Sequence, residues 1–169
     1  MKYIIFALIL IMVPFAMADT LADYPVFFSG SDVLIVLGDQ ADASDMIGAV
    51  DIATSLAPEV NSIEAILASE IEDVAAQDLV VIGGPCANSV AAALLAFPLP
   101  CYAPISPNAA LIQLFSFEDH ESLLIAGSGK QNTREGTLVM SSHENYELPQ
   151  TNMMEVSQTL QRNILVTQI

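Results

Sequence analysis

Cys86 follows Gly83-Gly84-Pro85 directly after an apolar run, and a strand, a tight turn and a helix start are how many hydrolases expose a nucleophile. Two histidines, His120 and His143, are the bases such a thiol would need. The chain holds one other cysteine, Cys101, and two cysteines in an exported protein most often pair. Pairing closes a loop of about 15 residues and contributes on the order of 3 kcal/mol. The disulfide is therefore expected, with a Cys86, His120 or His143 enzyme as the alternative.

Asp39, Asp42, Asp45 and Asp51 raise a metal question, because hard cations take several carboxylate oxygens. Their three-residue spacing, without a central glycine or a closing bidentate Glu, does not match a calcium loop. They are expected to be solvated helix-capping carboxylates, with weak screening by divalent cations such as calcium over Asp39, Asp42 and Asp45. No resident cofactor is expected. Gly127-Ser128-Gly129-Lys130 has the composition of a phosphate cradle, but Leu124 and Gln131 stand where a P-loop needs Gly and Ser or Thr. Lys130 and Arg134 read first as an internal charge-pairing element near the Asp39 to Asp45 loop and second as an anion site.

The elements that must position these residues follow from the apolar pattern. Val33 to Leu37 and Asp78 to Ile82 are continuous apolar runs bounded by turn residues, as in strands covered on both faces. Each leads through a glycine turn into a helix. The first helix is capped by Asp42 or Ser44, buries Met46, Val50, Ala53 and Ala57, and stops at Pro58; the second spans about Asn88 to Ala96. Between them, Ser62 to Glu70 reads as a strand. A hairpin follows over Ala110 to Phe117 and Ser122 to Ala126, then a third helix at about Asn132 to Ser142 and one or two closing strands in Met153 to Ile169. These units predict a three-layer α/β sandwich on a mostly parallel, mixed sheet, built from flavodoxin- or Rossmann-like strand, glycine turn and helix units. Ligands of such sheets sit at the carboxyl ends of strands, here the loops Gly38 to Ser44, Gly83 to Asn88 and Gly127 to Arg134. A small-ligand module using these loops is a further alternative.

Composition narrows the partners. The 169 residues carry 20 Asp plus Glu against 4 Lys plus Arg, and no Lys or Arg occurs between Lys2 and Lys130, which excludes a phosphate-backbone partner. With 53% hydrophobic and 14% charged residues the chain must fold. Lys2, the apolar run Ile4 to Val13, Pro14 and Ala16-Met17-Ala18 form a secretory leader over residues 1–18, cleaved after Ala18. Residues 19–169 then form one domain of net charge −17, with 20 acids against Lys130, Arg134 and Arg162. They contain no stretch apolar enough to span a bilayer.

Residues 32 to 147 resemble the surface-layer (S-layer) protein modules of archaea. The likeness runs through Val33 to Gly38, Ala43 to Ala53, the segment DLVVIGGPCANSVAAALL at Asp78 to Leu95, and Ala110 to Met140. More distantly the chain looks like bacterial cell-wall-binding repeats. The resemblance implies a non-enzymatic structural protein of the cell envelope, exported to the cell surface and assembled with itself or with other envelope proteins. S-layer proteins are usually much longer, with further β domains and an anchoring segment.

Overall fold

A computed structural model describes residues 19–158 and 164–169. The leader and its cleavage point lie outside the described residues. The elements in chain order are β1 (Asp32–Leu37), α1 (Ala43–Leu56), β2 (Ser62–Leu67), β3 (Asp78–Ile82), α2 (Ser89–Leu94), β4 (Ala109–Ser116), β5 (Glu121–Gly127), α3 (Lys130–Ser141), β6 (Met153–Gln158) and β7 (Ile164–Gln168). The strands form one sheet in the order β2-β1-β3-β5-β4-β6-β7. The β2, β1, β3 and β5 ladders are parallel, and β4, β6 and β7 add antiparallel pairs. The mixed sheet and its parallel core are those expected of the alternating strand and helix units.

Alternation along each strand divides the core in two. Val33, Ile35, Val80, Ile82, Ile112, Leu123 and Ile125 face one layer, where they meet Ile52 and Leu56 of α1, Val139 and Met140 of α3, and the aromatic Tyr24 and Phe28 of the leading 3-10 turns. Val36, Leu79, Val81, Leu111, Leu124 and Ala126 face the other, against Val90 and Ala91 of α2 and Ile105. Every residue of β3 is buried, as suits a strand paired on both edges and covered on both faces.

Several boundaries differ from the sequence expectation. Ser62 to Leu67 is a strand, but Ala68 to Glu70 turns into a short 3-10 helix. The second helix keeps only six residues, because Ala96 and Phe97 adopt positive φ and the chain leaves toward Pro98. Two tail strands form.

The buried stripe of α1 is a correction. Met46 and Val50 are 54% and 64% exposed and Ala57 is exposed, whereas Asp45, Gly48, Ala49, Ile52 and Leu56 are buried. The helix is apolar on most of its circumference, so periodicity does not single out a face. The small residues do, because α1 packs along α3 at Gly48. A Cβ added to Gly48 would stand 2.7 Å from Thr137 Oγ1 and 2.8 Å from its Cγ2.

Gly48→Ala is therefore predicted to destabilise the chain by about 1 to 2 kcal/mol, the steric cost exceeding the gain of up to about 1 kcal/mol in helix propensity. Adding Thr137→Ala, which removes both clashing atoms, is expected to recover part of that loss. Urea denaturation of the three variants measures both effects, and a stabilising Gly48→Ala alone would contradict this packing.

Candidate functional site

The three loops at the carboxyl ends of β1, β3 and β5 meet in one cleft of about 240 Å³, lined by Asp42 and Asp45, by Gly84 to Ala87, by Tyr102 and by Gly127 to Lys130 with Thr133. Parallel pairing brings them there: Leu37 lies beside Ile82, and Ile82 beside Ile125, so all three chains leave the sheet at one end.

Asn88 holds the base of the cleft. Its side chain is buried and uses both ends of the amide. Oδ1 accepts from the Val90 and Ala91 amides at 3.0 and 3.2 Å and caps α2, while Nδ2 donates to the Ile82 carbonyl at 3.0 Å and the Val36 carbonyl at 3.3 Å. One residue thus satisfies two helix amides and ties the carbonyl ends of β1 and β3 together. Gly83, the turn that makes room for it, has φ +113° and donates its N–H to the Ile125 carbonyl at 3.1 Å. Gly127 lies so close to α3 that an added Cβ would come within 2.2 Å of the Thr133 nitrogen, and its N–H donates to Thr133 Oγ1 at 3.1 Å.

Cys86 and Cys101 are joined by a disulfide, with Cα atoms 5.3 Å apart. The bond ties the cleft wall after β3 to the 97–108 connection, which carries Tyr102 to the cleft rim. Neither histidine is near it. His120 sits in the β4–β5 turn, at the opposite end of the sheet, on the order of 15 Å away by the rise of β3. There its Nδ1 is 3.6 Å from Asp78 Oδ1, which accepts the Glu121 N–H at 2.7 Å. His143 follows the far end of α3 and packs edge-on against Tyr24, with ring centroids 5.0 Å apart. The three residues of the thiol-enzyme alternative are not brought together.

The aspartates also separate. Asp39 accepts a hydrogen bond from Ser69 Oγ beyond β2. Asp51 pairs with the Arg134 guanidinium between α1 and α3, and Arg134 Nη1 also donates to Thr137 Oγ1 at 3.1 Å. Asp42 caps α1 through the Ser44 amide at 3.1 Å and pairs with Lys130 Nζ at 3.4 Å. That pair is exposed and of little energetic consequence. The hydrogen bonds from Ser44, more than Lys130, hold the Asp42 carboxyl below its usual range. Among the described residues no three His, Cys, Asp or Glu converge as metal ligands.

Asp45 departs from the expectation of a solvated capping carboxylate. It occupies the third position of α1 and completes the capping box by accepting the Asp42 N–H on Oδ2 at 3.3 Å. Its residue is 8% exposed, it lines the cleft, and Oδ1 has no hydrogen-bond partner. Burial raises its carboxyl above the ordinary value near 3.8, opposed by the Asp42 amide and reinforced by the Asp42 charge. Sequence reasoning placed Asp45 at the helix start but not in the interior. The Asp42-Ala43-Ser44-Asp45 capping-box spacing was the signal that its carboxylate turns back toward the chain.

No protein-family model and no curated protein matches this chain. Among solved structures, CpGH84D is similar over 76% of this chain and 20% of that one, with a TM-score of 0.48 and 11% identity, so this chain spans about a fifth of that protein's length.

Two outcomes test the site's construction. Asn88→Ala removes a helix cap and two buried hydrogen bonds to strand carbonyls, and is expected to cost about 3 kcal/mol, roughly 10 °C in melting temperature. Differential scanning calorimetry measures it, and a change under 1 °C would show that the four hydrogen bonds do not hold the cleft. For Asp45, the folded chain binds the proton more tightly than the unfolded chain. Ionisation therefore opposes folding, and the wild type loses stability relative to Asp45→Asn as pH rises from below 3.8 through the raised folded value. The melting-temperature difference, variant minus wild type, is expected to be more positive at pH 7 than at pH 3. A difference independent of pH would contradict the assigned burial.

Proposed function

We propose that this chain is an exported structural module of a cell envelope, similar to archaeal surface-layer modules, which works by assembly with copies of itself or with other envelope proteins and without catalysis. The observation that carries this reading is the disulfide. The sulfur at the strand-turn-helix position, where an enzyme would keep a thiolate, is bonded to Cys101 as a staple. Disulfides persist in oxidising compartments, which fits the leader over residues 1–18. The Val33 to Gly38, Ala43 to Ala53, Asp78 to Leu95 and Ala110 to Met140 segments that carry the resemblance hold β1, β3, β4 and β5 and much of the three helices. No helix among the described residues is long and apolar enough to cross a membrane.

Exposed apolar residues support this reading. Met46, Ile47 and Val50 form an exposed apolar stripe on α1, and Phe97 and Leu99 project from the stapled connection at 69% and 94% exposure. The chain as a whole is acidic, with 20 Asp plus Glu against 4 Lys plus Arg. Lys130 and Arg134 are engaged with Asp42 and Asp51, so they do little to relieve repulsion between copies.

Assembly is consequently predicted to strengthen when charge is screened. Static light scattering of residues 19–169 should show larger particles on adding calcium, magnesium or sodium chloride. A scattering mass independent of all three would overturn the assembly reading.

A further inference from the structure

Charge distinguishes the two exposed apolar patches of this chain. On α1, Met46, Ile47 and Val50 share a helix with its N-cap Asp42 and with Asp51, and Asp51 stands one turn from Ile47 on the same face. The second patch has no such neighbours. From Leu79 to Phe117 the sequence contains no Asp, Glu, Lys, Arg or His, and Phe97, Leu99 and Tyr102 are the large exposed hydrophobics of that stretch. Exposed Pro100, Ala103 and Pro104 lie between and beside them. Charges at the borders are already engaged. Lys130 and Asp42, which share the cleft with Tyr102, pair with each other, and Glu70, in the turn against α2, accepts the Leu67 N–H at 2.9 Å.

The backbone holds this patch out at a conformational cost. Ala96 and Phe97 are consecutive non-glycine residues at φ 57° and 52°, a region that disfavours side chains, and they turn the chain out of α2 with Phe97 in water instead of in the core. The connection is then fixed along its length. Phe97 N–H donates to the Ala92 carbonyl at 2.7 Å, Ala103 N–H to Pro100 at 2.8 Å and Ile105 N–H to Tyr102 at 3.0 Å, while Cys101 is bonded to Cys86. Such a segment loses little freedom when a partner covers it. With Tyr102 58% exposed and the other two more so, the three side chains leave roughly 400 Å² in water, enough to mark an interaction surface. A stable protein interface takes about 800 Å² from each side, of which these three supply about half.

A basic partner would be drawn to the acids elsewhere on the chain, and a lipid surface favours segments flanked by Lys or Arg, which this one lacks. We propose that Phe97, Leu99 and Tyr102 form the contact between two copies of this chain, patch against patch around a twofold axis. Each copy carries the same excess of acid, and this contact joins them without setting acid against acid. The proposal rests on the assembly reading above and names the surface through which copies meet.

Sedimentation equilibrium of disulfide-intact residues 19–169 across a dilution series tests it. The wild type is expected to follow a monomer–dimer equilibrium, and Phe97→Ser combined with Leu99→Ser to raise the dissociation constant by about tenfold or more. Met46→Ser combined with Val50→Ser, which removes the α1 stripe, is expected to leave it within about twofold. Circular dichroism checks that each variant folds. Should the Phe97 and Leu99 variant not fold, dilution of the ¹⁵N-labelled wild type decides by nuclear magnetic resonance: the Leu99, Tyr102 and Ala103 amides are expected to shift with concentration and those of Met46 to Val50 to stay. Three results overturn the proposal: a wild type that is monomeric throughout, a dimer whose constant or shifts follow α1 or neither patch, or a monomer whose Leu99 and Tyr102 amides shift with phosphatidylcholine vesicles instead. A dimer indifferent to Phe97 and Leu99 leaves the assembly reading standing on another surface, whereas loss of all association, including the scattering response to salt, removes both.

Discussion

The bifunctional amide of Asn88 is the constraint on which the site end of this molecule depends. Two strands 40 or more residues apart in the chain end beside each other, and the Asn88 amide donates to a carbonyl near the end of each, Val36 and Ile82. The same side chain accepts the first amides of the short helix that follows. Because α2 has only six residues, it has little intrinsic stability and relies on that cap and on burial of Val90 and Ala91. The disulfide then fixes the chain on the far side of α2, so the loop after β3 is held at both ends.

Charge is arranged around the same end. Residues 3–129 have no Lys or Arg, and the two cations near the start of α3 reach across to α1: Lys130 to Asp42, Arg134 to Asp51. The partly buried Arg134 pair lies beside the Gly48 and Thr137 contact, so helix packing and charge pairing reinforce one interface. Elsewhere among the described residues no Lys or Arg pairs with the acids. Asp45, like Asp78 and Glu135, is an acid drawn inward, in its case by the geometry of its own helix cap.

Much of this was legible in the sequence because it is local. The continuous apolar runs, the glycine turns, the hairpin around Glu118 to His120 and the three strand-end loops each rest on patterns within a few residues. What was not legible depends on partners far away in the chain. The buried face of α1 is chosen by Thr137, nearly 90 residues later, and an all-round apolar helix carries no mark of that choice. Asn88 was readable as a helix start, but its bonds to Val36 and Ile82 require knowing that β1 and β3 are neighbours. Likewise, the separation of Cys86 from His120 and His143 follows from strand direction and register rather than from residue type.

The central claim, an exported and disulfide-stapled envelope module, is tested most directly by the intact mass of the native protein recovered from fractionated cells. The predicted result is a chain beginning at Asp19, found in the envelope fraction, and lighter by two hydrogens than the same chain after reduction. A protein confined to the cytosol, retaining residues 1–18 and carrying two free thiols, would contradict it.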